Sequence, residues 1–187
     1  MEEDGPHDGA INAVLQLAET GRLDALIIDA LSEKDLGHLS WSGSPSHVRS
    51  VGAALDRARR GEVEYLAVRA PNGAPIAKAG IDYTEHRDAG TLFQLTTHAR
   101  LRSLGIGRRI IAEAEQHIRR RGCPWVVLGV EDHNTRARAL YERLGYEFWR
   151  RHPASWQSED ALGNMHLYET ELNLLRKHLA SSVALSI

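Results

Sequence analysis

Cysteine is almost missing: Cys123 stands alone in 187 residues, so no internal disulfide can form and no thiolate pair is available to a metal. An excess of either charge is missing too. The 23 Lys plus Arg against 25 Asp plus Glu leave no electrostatic footprint for nucleic acid or for a membrane surface. Long apolar runs are absent because Arg, Glu or Asp interrupts each candidate before it reaches bilayer length. No basic-then-apolar segment of the secretory kind opens the chain, so the expected location is cytoplasmic and reducing. His47, His86, His98, His117 and His133 form no ligand pair at helical spacing, and no metal site is expected. Internal repeats and low-complexity segments are lacking as well.

What is present is an ordered run of strand and helix patterns. Residues 1–9 read as a loose acidic arm, and Ala10 to Thr20 carries a short helical pattern that ends at Gly21. Leu23 to Ala30 reads as a strand, with Ser32 capping a short helix through Leu39, and 41–46 as a loop. His47 to Arg60 has helical spacing through Val48, Val51, Leu55 and Ala58. Val63 to Arg69 and Ile76 to Tyr83 form a hairpin around Asn72-Gly73, and Thr91 to His98 a third strand. Gly105 opens a long amphipathic helix to Arg121, followed by a buried-type strand, Trp125 to Val130, and a helix from Thr135 to Leu144. Two shorter strands, Tyr146 to Arg150 and Met165 to Leu172, flank a Pro-, Ser- and Gly-bearing loop; Leu174 to Ile187 has no clear pattern. The class is α/β or α+β, a mixed sheet with helices on both faces.

The chemistry concentrates in Arg102-Ser103-Leu104-Gly105-Ile106-Gly107-Arg108-Arg109, between an expected strand and an expected helix. First-turn amides of a helix lack intrahelical acceptors, the helix dipole is positive there, and glycine lets an anion approach the backbone. Arginines on either side can add charge-assisted hydrogen bonds. A dinucleotide loop would need a third glycine where Ile110 stands, and a nucleoside-triphosphate loop would end in Gly-Lys-Ser or Gly-Lys-Thr. Two glycines entering an amphipathic helix remain the plainer explanation until a second element is found.

That element is Val130-Glu131-Asp132-His133-Asn134-Thr135-Arg136-Ala137 with Leu140-Tyr141-Glu142-Arg143-Leu144-Gly145-Tyr146. Together with Arg102-x-x-Gly105-x-Gly107 it resembles the GNAT superfamily of N-acetyltransferases over roughly residues 23–172. The resemblance implies a mainly antiparallel sheet whose fourth and fifth strands splay, with the pantetheine arm of acetyl-CoA between them and its pyrophosphate on residues 102–109. It implies backbone contact to the acetyl group at Leu95, Thr96 and Thr97, with Thr97 and Ala99 where the family commonly has Val and Pro. It aligns Tyr141 with the tyrosine that protonates the leaving CoA thiolate; a phenol with a pKa of about 10 holds that proton at neutral pH. Tyr141 also falls on an apolar stripe with Ala137, Leu140 and Leu144, so a packing role stays open. Asn134 is expected to cap its helix or to bind pantetheine, and Ala137 to line the same site.

The division that follows is 1–22 as arm and short helix, 23–172 as the acetyltransferase domain and 173–187 as tail. The expected activity is transfer of an acetyl group from acetyl-CoA to a primary amine by direct attack in a ternary complex. The alternatives are a non-catalytic acyl-CoA-binding regulatory module of the same fold and a purely structural interaction domain. Trp41, Trp149, Trp156, Tyr83 and Tyr168, with Asp82, Glu85 and Glu159, are candidates to receive an amine acceptor. Glu85, His86, His98, Glu131 and His133 are the candidate bases, none of them assigned. A homodimer through an edge strand or the tail is compatible with such a fold.

Overall fold

Along Val63–Arg69 successive apolar side chains enter two different cores, Leu66 and Val68 one, and Val63, Tyr65 and Ala67 the other. A strand's two-residue period makes this possible, and it forces helices onto both faces of the sheet. A computed structural model describes residues 8–160 and 162–179 of the protein. Within them the elements are α1 (Asp8–Glu19), β1 (Ile27–Ala30), α2 (Pro45–Arg59), β2 (Val63–Arg69), β3 (Pro75–Asp82), β4 (Ala89–Thr97), α3 (Ile106–Arg120), β5 (Trp125–Glu131), α4 (Thr135–Arg143), β6 (Glu147–Glu159) and β7 (Met165–His178).

The seven strands form one sheet in the order β1-β2-β3-β4-β5-β7-β6. Every neighbouring pair is antiparallel except β4 and β5, which run parallel, so the expected mixed, mainly antiparallel sheet is the observed one. On one face α3 buries Ile106, Ile110, Ile111, Ala114 and Ile118, its i, i+4, i+5, i+8, i+12 stripe, against Ile81, Leu92 and Val126. Each such isoleucine contributes roughly 1.5–3 kcal/mol by leaving water. Helix α1 adds Ala10, Ile11 and Val14 to this same core. On the other face α2 packs Val51, Ala54 and Leu55 on Leu39, Tyr65 and Ala67.

Three expectations need correction. The strand expected over Leu23–Ala30 begins only at Ile27, because Leu23–Ala25 is a 3-10 turn. The carbonyls of Leu23, Asp24 and Leu26 there are taken by the Arg109 guanidinium instead of by a neighbouring strand. The loop expected after Arg150 is strand, since β6 continues to Glu159 through Pro153. Because β6 is the sheet's edge, one side of it needs no ladder, and a residue without an N–H fits there. Likewise β7 runs past Leu172 to His178 and buries Asn173, Leu174 and Leu175. The arm expected over 1–9 lies outside the described residues except for Asp8 and Gly9, which begin α1; residues 180–187 of the tail lie outside them too.

Gly90 fixes how closely α3 sits on the sheet: a Cβ there would lie 2.5 Å from Cγ1 of Ile118, which is fully buried. Gly90→Ala therefore overpacks this layer and is expected to destabilise the fold by about 1–3 kcal/mol. The check is urea unfolding, with a lower midpoint at unchanged slope.

Candidate active site

The sheet opens where β4 and β5 stop pairing. Their parallel register runs only from Ala89↔Trp125 to Leu92↔Leu128, so residues 93–97 and 129–131 continue without each other. Beyond that point β4 is irregular on its other side as well, with the register against β3 shifting between Lys78 and Gly80. Gln94 sits in this bulge with φ 50°, and Ser103 in the following loop has φ 68°. Among the described residues these are the two non-glycine positions in the left-handed region, each worth about 1–3 kcal/mol of local strain. Both border the opening.

Two clefts meet at the gap. The first, about 610 Å³, is lined by Leu95, Thr96, Thr97, Leu101, Arg102, Ser103, Gly105, Gly107, Arg108, Asn134, Arg136, Ala137, Leu140, Tyr141 and Arg143. Gly105 enters α3 in the left-handed conformation, φ 89°, and no side chain caps the helix. Intrahelical bonding begins with the Arg109 N–H on the Gly105 carbonyl at 3.2 Å, which leaves the amides of Ile106, Gly107 and Arg108 as first-turn donors. Arg102, Arg108, Arg136 and Arg143 surround this positive helix end, and Arg136 donates to Ser103 Oγ at 2.6 Å. A Cβ on Gly107 would meet nothing nearer than 3.7 Å, so the backbone is open to the cleft. This donor set suits a polyanionic group such as a diphosphate.

The second cleft, about 920 Å³, lies across the gap and includes His47, Glu85, His86, Phe93, Gln94, Leu95, Glu131, Asn134, Ala137, Tyr141 and Trp156 among its walls. Leu95, Asn134, Ala137 and Tyr141 belong to both clefts and form the neck between them. Asn134 accepts the Ala137 N–H at 3.2 Å and so caps α4 while facing both spaces. Tyr141 is 8 % exposed, and burial pushes its phenol up to about 12. The far end of β6 arches to α2, where the Glu159 carboxylate accepts the Ser46 N–H at 2.6 Å.

Of the residues expected at the site, Leu95, Thr96, Thr97, Arg102, Ser103, Gly105, Gly107, Arg108, Asn134, Ala137 and Tyr141 line the first cleft together. Three do not. Ile106 is buried in the core, Leu104 packs against it, and Arg109 turns its guanidinium to the turn at Leu23–Leu26. The expected acceptor aromatics divide in the same way. Trp156 lines the second cleft, and Tyr168 stacks on it at 5.0 Å while donating to Glu131 at 2.8 Å. Trp41 packs against the α2 core, Tyr83 is engaged by Glu64 and Arg121, and Asp82 by Arg57 at 2.6 Å. Trp149 lies beside Arg150 and His86. Of the candidate bases, Glu85, His86 and Glu131 are at the second cleft; His133 is largely exposed, 3.7 Å from Glu131.

Sequence reasoning missed Arg136 and Arg143, which repeat the cradle's charge from α4, and it missed Lys78. Lys78 is fully buried beneath the bulge, its Nζ 3.0 Å from His47 Nε2, 3.2 Å from Tyr65 Oη and 3.1 Å from the Gln94 carbonyl. Burial lowers its pKa to about 7, and burial followed by the nearby Lys78 charge lowers that of His47 to about 4. The available signal was a lone lysine inside the apolar strand Ile76–Ile81, since a buried charge needs partners.

Residues 30–146 match the family described as the acetyltransferase (GNAT) family. Similar solved structures include a ribosomal-protein-alanine N-acetyltransferase from Brucella melitensis, with TM-score 0.64 and 20% identity over 82% of this chain and 100% of that one. The PaiA N-acetyltransferase from Thermoplasma acidophilum, solved in complex with coenzyme A, gives 0.61 and 16% over 83% and 99%. An IAA acetyltransferase from Bacillus cereus gives 0.60 and 14% over 83% and 100%. At these identities the structural likeness is one of fold.

The cradle is tested by Gly107→Glu, which sets a carboxylate among the first-turn amides of α3. Isothermal titration should show acetyl-CoA affinity falling by at least about a hundredfold, the loss of more than one charge-assisted hydrogen bond. Unchanged affinity would remove the cradle from the account.

Proposed function

Because the chain belongs to the GNAT acetyltransferase family, and is thus an acyltransferase of a family that uses acetyl-CoA, we propose that it transfers acetyl from acetyl-CoA to a primary amine by direct attack in a ternary complex. The observation that carries this reading is the neck: Leu95 and Tyr141 stand where a polyanion-suited cleft meets a second cleft bearing acidic and aromatic groups. The arginine-rich cleft holds the diphosphate, the gap between β4 and β5 takes the pantetheine arm, and the amine enters from the side of Glu85, Glu131 and Trp156.

Each residue's task follows from its environment. The main-chain amide of Leu95, in the stretch Leu95–Thr97 beyond the last β4–β5 pair, donates to the thioester carbonyl as it gains negative charge. Fixed donors in a partly dry cleft stabilise that charge more than they stabilise the ground state. Tyr141 hands its phenolic proton to the departing thiolate. Its raised pKa means that the proton is held throughout the neutral and mildly alkaline range, so deprotonation of Tyr141 does not limit the rate there. Asn134 fixes the start of α4 and thereby the placement of Tyr141 two turns on.

A non-catalytic acyl-CoA-binding module would share the first cleft, but it would have no use for a buried phenol at the junction. The acetyltransferase domain on this proposal is 23–172, which contains every residue given a role; of the described flanking residues, Ala10, Ile11, Val14, Leu175 and Leu179 join its core. Among the described residues no helix is long and apolar enough to cross a membrane. A cytoplasmic site of action and an unaided catalytic chain, without metal, complete the proposal.

Thiol release from acetyl-CoA with spermidine, kanamycin, free lysine and an alanine-starting peptide tests the activity. The peptide is included because the Brucella neighbour is named for such an acceptor. Turnover with at least one amine is expected; acetyl-CoA binding with no turnover on any would favour the binding module. Tyr141→Phe should lower kcat by about 10²-fold, in the range of general-acid contributions, while leaving acetyl-CoA affinity unchanged. Full activity would reduce Tyr141 to a packing residue.

A further inference from the structure

A peptide unit is planar and trans, so its C=O and N–H point in opposite directions. Whatever grips the carbonyl of one residue therefore aims the amide of the next. In β4 the carbonyl of Gln94 is gripped from below by Lys78 Nζ at 3.1 Å. The side chain of Gln94 is held as well, its Oε1 by Tyr65 Oη at 2.8 Å and its Nε2 on Ser50 Oγ at 2.8 Å. Gln94 is in the left-handed region, φ 50°, where a glutamine stays only if its surroundings hold it. The amide opposite the gripped carbonyl belongs to Leu95, the residue at the neck shared by both clefts.

We infer that Lys78 is a positioning residue for acetyl transfer: by anchoring the Gln94 carbonyl it fixes the β4 bulge and directs the Leu95 N–H at the thioester carbonyl. The inference rests on the acetyl-transfer reading and adds to it a residue that touches neither substrate. The arrangement is fully satisfied in both protonation states of Lys78. As an amine it has N–H donors for Tyr65 Oη and Gln94 O while its lone pair accepts from His47 Nε2–H, and as an ammonium it donates to all three. The grip therefore survives proton loss without movement of a heavy atom. An ammonium in that place also polarises the peptide and makes the Leu95 N–H a stronger donor. Besides the Gln94 carbonyl, Lys78 meets His47 Nε2, Tyr65 Oη and the Tyr65 ring, and among the described residues it has no carboxylate within ion-pair distance, so its role is not that of a buried ion pair.

The test compares acetyl-CoA with CoA, which differ at the acetyl group. In Lys78→Met, which keeps the length and loses the donor, the dissociation constant for acetyl-CoA should rise about three- to tenfold while that for CoA stays within about twofold, the worth of one hydrogen bond. The infrared band of the carbonyl in 13C-labelled acetyl-CoA should move back toward its solution position. Lys78→Gln, which retains an N–H, should fall between, and it replaces the methionine variant if that does not fold. In the wild type the Leu95 amide resonance should shift with acetyl-CoA and far less with CoA. Equal losses of both affinities, or an unmoved carbonyl band, would make Lys78 merely structural, and an unmoved Leu95 amide would overturn the inference alone. Absence of acetyl-CoA binding to the wild type would instead remove the acetyl-transfer reading on which it stands.

Discussion

Two parallel strands keep their ladder only as long as their backbones stay at hydrogen-bonding distance, and in this sheet β4 and β5 surrender it after Leu92 and Leu128. Unpaired backbone in a protein interior is unfavourable unless something satisfies it. The rest of the molecule can be understood as the means of keeping that gap open. The cores on either face hold the two strands rigidly up to the divergence, and α3 and α4, which follow β4 and β5, bring their N-termini to its mouth. Backbone amides and arginines then face a space that a thioester with a charged tail can fill.

Local strain is concentrated where the site needs it. Gln94, at the bulge in the wall of the second cleft, and Ser103, at the entrance to α3 in the wall of the first, hold left-handed backbone. Neither conformation would persist in an isolated segment. Gln94 is restrained by Lys78, Tyr65 and Ser50, and Ser103 receives a hydrogen bond from Arg136. Side-chain networks beneath and beside the cleft thus hold backbone donors in place, so that little reorganisation is left for the reaction.

Much of this was legible in the residues. The apolar strand-length runs of β2 to β5 and the 3.6-residue stripe of α3 gave strong patterns because the strands lie between two helical layers and α3 is buried on one face. The Arg102–Arg109 and Leu140-Tyr141 segments were legible because each is a run of fixed residue types in sequence order, and the two line one cleft. What stayed hidden was of long range. Arg109 looked like a phosphate ligand because only the fold shows that its reach ends at the Leu23 turn. The continuation of β6 beyond Arg150 was concealed by Pro153, since a sequence does not say which strand will be the edge. Lys78, on β3, joins β2, β4 and α2, and no local pattern connects Tyr65, Gln94 and His47.

The central physical claim is that the uncapped first turn of α3 binds the diphosphate of coenzyme A. Its most direct measurement is an amide-resolved NMR titration of the protein with CoA. The account predicts that the amides of Ile106, Gly107 and Arg108 undergo the largest changes, with those of the β5–β7 ladder nearly still. Binding that leaves these three amides unmoved, with the changes on another surface, would contradict it.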